Sequence, residues 1–193
     1  TIVTPFMEHG SLHKLLNKEF HSQAPHEWTD TTRAINIFGI AAGMCYMHQR
    51  QMLHRDLKTD NILLDDNYYP KICDFGCSKI FEYGLNDIVT ATNCGTPVYM
   101  APELLLDQPY NSKVDVFAYA MVLYELIALQ PAYEDPRNPH GFNFLNNIMN
   151  GNRPKLDKRF SEFFKKLISD CWAQNPNERP SFVEILRTML AAY

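Results

Sequence analysis

The chain has 193 residues, enough for one domain or a little more. Apolar residues make up 46% of it, so a sizeable core can be buried. The net charge is −4 and no Lys/Arg run occurs, which argues against nucleic-acid binding.

The five cysteines (Cys45, Cys73, Cys77, Cys94 and Cys171) are odd in number and scattered. Without paired CxxC motifs a zinc site is not expected, and reduced thiols in an intracellular, cytoplasmic protein are the simplest reading. The longest apolar run, Val116 to Tyr124 and on past Glu125 to Leu129, is too short and interrupted to span a bilayer. It reads as a buried helix, and no membrane insertion is expected. No signal peptide is seen, and the chain opens on Thr1-Ile2-Val3 without a Met, so it reads as a fragment.

In chain order, Thr1-Ile2-Val3-Thr4 reads as a β run, and Pro5 to Leu12 as an extended connector. Gly10 or Ser11 starts a short helix to about Asn17, and Lys18 to Glu27 reads as loop. Thr29 or Asp30 caps a helix over Thr31 to Arg50, where Ile35, Phe38, Ala42, Cys45 and Tyr46 recur at helical spacing. Gly39 and Gly43 on that helix imply close packing. Short strands are expected at Gln51 to Leu53, Ile62 to Leu64 and Lys71 to Cys73, the last two joined by the turn Asp65-Asp66-Asn67. A long segment from 74 to 103 follows; loops of that length are usually functional. Helices are then expected after Ala101-Pro102-Glu103 and over Lys113 to Leu129, Phe142 to Asn150, Phe160 to Trp172 and Ser181 to Ala191. Pro131 to Tyr133 and Pro136 to Gly141 read as a loop.

The chemistry gathers at His54-Arg55-Asp56-Leu57-Lys58-Thr59-Asp60-Asn61, then Asp74-Phe75-Gly76, then Ala101-Pro102-Glu103. These motifs, in this order and at this spacing, resemble the catalytic core of a eukaryotic protein kinase. The resemblance implies a mainly α fold, the large lobe of that family, with short β-hairpins at the catalytic loop. Residues 1–12 would be the last strand of the small lobe and the hinge, and 13–193 the large lobe.

The resemblance also implies roles. Asp56 is the candidate base for the substrate hydroxyl, and Lys58 meets the γ-phosphate of ATP as a point charge. Asn61 and Asp74 are the candidate Mg²⁺ ligands, hard oxygens of the kind that ion prefers. Thr96 contacts the base and the lysine. Thr4 is the gatekeeper, the backbone of Pro5 and Met7 faces adenine, and Leu63 lies on the nucleotide side. Arg55 is positioned to grip a phosphate on the activation segment, with Thr90 and Thr92 the best-placed acceptors and Ser78 and Tyr83 weaker ones. His54 and Phe75 are expected to stack, with Gly76 completing the motif. Asp115 is expected to bind backbone N–H groups of the His54-Arg55 turn, and Glu103 and Arg179 to form a buried ion pair. Cys73 reads as a small core residue. Asp60 and Glu125 are either readers of basic residues near the target hydroxyl or acids held there for packing.

Lys58 and the Gly95-Thr96-Pro97 stretch resemble Ser/Thr kinases, whereas Ile2-Val3-Thr4, Cys171-Trp172 and Asn177 to Phe182 have the style of tyrosine kinases. The mixture resembles the tyrosine-kinase-like group, whose members act mostly on Ser and Thr. Protein Ser/Thr side chains are therefore the expected substrates, with ATP and Mg²⁺ as cofactors. No Gly-x-Gly-x-x-Gly and no Val-Ala-x-Lys occurs in the chain. The isolated chain is accordingly expected to be inactive, and a non-catalytic binding module is the alternative reading.

Overall fold

The computed structural model describes residues 4–80, 94–133 and 143–192. Among them the fold is mainly helical, with only two small antiparallel sheets.

Helix α1 (Leu12–Phe20) is capped by Ser11, whose side chain accepts from the Lys14 N–H. It runs one turn beyond the expected end, so only 21–29 remain irregular before the next helix. There Trp28 is buried and donates its indole N–H to Glu19 at 2.7 Å. Helix α2 (Asp30–Gln49) starts from Thr29 in a reciprocal capping box with Thr32, which satisfies two otherwise orphaned donors. Strands β1 (Met52–Leu53), β2 (Ile62–Leu64), β3 (Pro70–Ile72) and β4 (Lys79–Ile80) follow. β2 pairs with β3 and β1 with β4.

The two glycines of α2 let it lie on the β2–β3 hairpin. A Cβ on Gly39 would sit 2.8 Å from Pro70 Cγ, and one on Gly43 2.8 Å from Ile72 Cδ1. The proline ring cannot swing aside, so any larger residue at 39 would push the hairpin off the helix.

Helices α3 (Pro102–Leu105), α4 (Lys113–Ala128), α5 (Asn143–Met149), α6 (Glu162–Cys171) and α7 (Phe182–Leu190) complete the described chain. α4 is the hub. Of its 16 residues, 14 are buried, as expected of a helix that is apolar all round. α2 and α6 pack against it, and α7 packs on α2. No helix among the described residues is long and apolar enough to cross a membrane.

One expectation from composition fails. Cys77 and Cys94 are joined in a disulfide, with Cα atoms 5.8 Å apart, while Cys45, Cys73 and Cys171 are free thiols. Strand β4 was also not expected; two residues are too few to leave a pattern. Of the β run expected over 1–4, residues 1–3 lie outside the described residues and Thr4 is irregular; the loop from 136 to 141 also lies outside them.

Candidate active site

The register of the β2–β3 hairpin builds the site. Ile62 opposes Ile72, and one step further Asn61 O accepts from the Cys73 N–H at 2.9 Å. The hairpin therefore sets Asn61, the last residue of the 54–61 loop, beside the start of Asp74-Phe75-Gly76. Two residues here hold left-handed backbone, Arg55 (φ 65°) and Asp74 (φ 61°). Non-glycine residues rarely adopt that conformation, and it concentrates at functional sites.

Asp56 lies at the centre. Its Oδ1 accepts from Thr96 Oγ1 at 2.8 Å, and its Oδ2 accepts from Asn61 Nδ2 at 3.0 Å. Lys58 Nζ lies 3.2 Å from Asp56 Oδ2 and donates to Thr96 Oγ1 at 2.6 Å. The Thr96 hydroxyl thus receives from the lysine and donates to the aspartate, closing a ring across 40 positions of sequence. Asn61 Nδ2 also donates to Asp56 O at 2.8 Å, which fixes the amide and directs its oxygen the other way. Asp74 is exposed, and its Oδ1 accepts from the Gly76 N–H at 3.3 Å.

His54 is fully buried and structural in geometry. Its Nε2 lies 3.0 Å from Cys73 O and its Nδ1 accepts from the Asp56 N–H at 3.3 Å, a pattern that calls for the Nε2–H tautomer. The ring stands 5.6 Å from that of Phe75, which stays half exposed. Cys73 Sγ donates to Asn61 O at 3.3 Å; burial, with Asp74 alongside, pushes its thiol pKa up.

The loop is held from below by α4. Asp115 accepts the N–H groups of His54 (2.9 Å) and Arg55 (2.8 Å), and His48 Nε2 at 2.8 Å. Burial works to raise the Asp115 carboxyl pKa, but His48 and the two backbone donors outweigh it and hold it below the usual range. Further along, Glu125 Oε2 accepts from Thr59 Oγ1 (2.8 Å) and Tyr99 OH (2.7 Å), and its Oε1 lies 3.4 Å from the Ala132 N–H. Burial raises its pKa and these donors only partly offset that. Glu125 is 6% exposed and engaged within the protein, which fits the packing reading of this acid and not the reading of basic residues in a substrate. Asp60 is exposed.

Arg55 Nε donates to Cys77 O at 2.5 Å and Nη1 to Tyr110 OH at 2.9 Å. Thr90, Thr92 and Tyr83 lie outside the described residues; the Ser78 hydroxyl is buried, so it is no acceptor in this conformation. Glu103 and Arg179 meet in a two-pronged buried pair at 2.6 and 2.9 Å. The guanidinium also donates to the carbonyls of Ala173, Lys113 and Gln174. On the hinge side, Thr4 and Pro5 are exposed and Met7 is half-buried, with its carbonyl accepting from the Gly10 N–H at 3.1 Å. Leu63 bridges to Ser11, which sets it under the end of that connector.

Sequence reasoning missed His48, Tyr110, Tyr99 and the Cys77–Cys94 pair. A histidine near the end of a helix gave no signal, because its partner Asp115 lies 67 positions away.

Residues 1–190 match the protein kinase domain family. The chain is 40% identical over 77% of its length to the RGS domain-containing serine/threonine-protein kinase A of Dictyostelium discoideum, covering 12% of that protein. It is 37% identical over 96% of its length to the dual specificity protein kinase shkB of the same organism, covering 28% of it. The serine/threonine-protein kinase CTR1 of Arabidopsis thaliana is 34% identical over 96% of the chain, which covers 22% of it. The chain thus spans less than a third of the length of these curated relatives.

Proposed function

The chain belongs to the protein kinase family, and on that premise we propose that it transfers the γ-phosphate of ATP to serine and threonine hydroxyls of proteins. The observation that carries this reading is the closed ring of Asp56, Thr96 and Lys58, with Asn61 bonded to the same aspartate.

Phosphoryl transfer is mainly a matter of placement and charge. Asp56 orients the incoming hydroxyl and accepts its proton. Thr96 and Asn61 hold the carboxylate at the geometry this requires, and Lys58 places positive charge where the phosphoryl group passes. Asn61 and Asp74 would hold Mg²⁺: the asparagine nitrogen is bonded to Asp56, which turns its oxygen away, and the aspartate is exposed. When bound, that ion would offset charge on the phosphates. Thr4, Pro5, Met7 and Leu63 would border the adenine. Residues 1–12 would be the last small-lobe strand and hinge, and 13–193 the large lobe. A cytoplasmic location and protein substrates fit this reading.

The alternative of a binding module without catalysis is disfavoured by the presence of Asp56, Asn61 and Asp74 together. Lys58 and Thr96 favour serine and threonine over tyrosine. The test is phosphorylation of a degenerate peptide library by the full natural protein, followed by phosphoamino-acid analysis. Phosphoserine and phosphothreonine lost in Asp56→Asn are expected; mainly phosphotyrosine, or incorporation unchanged in Asp56→Asn, would sink the proposal.

A further inference from the structure

The disulfide joins two points that matter to the site. Cys77 directly follows Asp74-Phe75-Gly76, and Cys94 lies two residues before Thr96. The bond closes a loop across a separation of 17 residues.

Both of its ends rest on the same turn of the catalytic loop. On one side, Cys77 O accepts from Arg55 Nε at 2.5 Å, and β4, just beyond, pairs with β1, just before His54. On the other side, Gly95 packs against the Arg55 carbonyl. A Cβ there would lie 2.7 Å from that oxygen, and φ is 121°, so only glycine fits. The disulfide thus fastens two strands of chain over the Arg55 turn, in a conformation where Thr96 bridges Asp56 and Lys58.

The two cysteines are also accessible. Both are half-buried, as is the free thiol Cys73, whereas Cys45 and Cys171 are buried. Small oxidants and reductants reach half-buried sulfur far more readily.

We propose that Cys77 and Cys94 are a redox modification site, a reversible clasp that holds the two ends of this segment on the Arg55 turn and so keeps Thr96 on Asp56. The clasp closes by thiol–disulfide exchange with a low-molecular-weight disulfide. One cysteine sulfur displaces a thiol from it, the second displaces the other thiol, and the S–S bond forms. The two protons and two electrons leave with the two released thiols, and a low-molecular-weight thiol in excess reverses each step. The catalytic consequence rests on the kinase reading above; the clasp itself does not.

The test equilibrates the full natural protein in glutathione buffers of varied thiol-to-disulfide ratio, blocks free thiols with iodoacetamide and maps the peptides. A Cys77–Cys94 linked peptide is expected in oxidising buffer only. Its appearance should track a higher melting temperature, and peptide phosphorylation about fivefold faster than in the reduced form, the lower end of ordinary coupling between sites. Cys77→Ser and Cys94→Ser should each behave like the reduced protein in every buffer. Absence of the linked peptide at all ratios overturns the proposal. So does measurable activity that is equal or lower in the oxidised form, or redox-dependent activity that persists in Cys77→Ser. A linked peptide and a melting shift with no phosphotransfer in either form supports the clasp and counts against the kinase reading.

Discussion

Asp115 and Glu125, the two carboxylates buried in α4, hold opposite ends of the loop that presents Asp56. Asp115 takes the backbone at His54 and Arg55, and Glu125 takes the side chains of Thr59 and Tyr99. Ten residues of helix put about 15 Å between their backbones. One rigid, fully packed rod therefore sets the position of a loop that itself has little regular structure. The two carboxyls are shifted in opposite directions, and that yields separate tests.

For Asp115 the carboxyl pKa lies below its ordinary value in the folded protein. A depressed carboxyl contributes stability that is present above its unfolded value, about 3.9, and is lost as pH falls through the folded one. Urea unfolding followed from pH 6 down to 3 should show this loss, and Asp115→Asn should lack that part of it. Asp115→Ala leaves two N–H groups and His48 without their acceptor, and should cost about 3–5 kcal/mol at neutral pH. Equal acid dependence in wild type and Asp115→Asn would refute the assignment.

Glu125 runs the other way, because burial dominates and raises its pKa. A raised carboxyl contributes stability that is complete below its unfolded value, about 4.3, and is lost as pH rises through the folded value. Glu125→Gln removes that titration while keeping an acceptor for the two hydroxyls. Its stability relative to wild type should rise between pH 4 and neutrality. Glu125→Ala strands the buried hydroxyls of Thr59 and Tyr99, and should cost about 1–3 kcal/mol for each group left unsatisfied. A constant difference between Glu125→Gln and wild type across that range would contradict the raised carboxyl.

The ring around Asp56 separates position from chemistry. In the natural protein, Asp56→Asn removes the proposed base and should lower kcat by about 10²–10⁴. Thr96→Ser retains the hydroxyl that links Lys58 to Asp56 and should retain most activity, while Thr96→Val has similar volume and no hydroxyl. If Thr96 acts by holding Asp56, Thr96→Val lowers kcat with little change in melting temperature. If Thr96→Val and Thr96→Ser had the same kcat, the bridge would have no role.

How much of this was legible in the sequence depended on distance along the chain. The helices declared themselves through periodicity and through the cap at Thr29, whose partner lies three residues away. The 54–61 loop stood out through motif order. Glu125 could not be read, since an acid in an apolar helix gives no sign of whether it faces outward or toward Tyr99. The Cys77–Cys94 bond was equally hidden, because an odd cysteine count without spacing motifs does not say which pair the fold brings together. His48 was missed for the same reason: its meaning lies in the folded position of Asp115.

The Glu103–Arg179 pair ties the segment that ends at α3 to the chain just before α7. Arg179 is fully buried, and besides Glu103 it serves three carbonyls while its guanidinium lies 5.1 Å from the Phe117 ring centre. Lysine has neither the planar fork nor enough donors for this site, so Arg179→Lys is not conservative. Removing either partner leaves the other charge buried without its counter-ion, and should cost about 3–5 kcal/mol. Glu103→Gln keeps one acceptor for the guanidinium and should unfold at higher urea concentration than Glu103→Ala. The pair touches neither Asp56 nor Asp74 directly. Loss of stability should therefore appear in the urea midpoint, while KM for ATP in the folded fraction stays near wild type. A Glu103→Ala variant with unchanged urea midpoint would show that solvent or another cation can replace this contact.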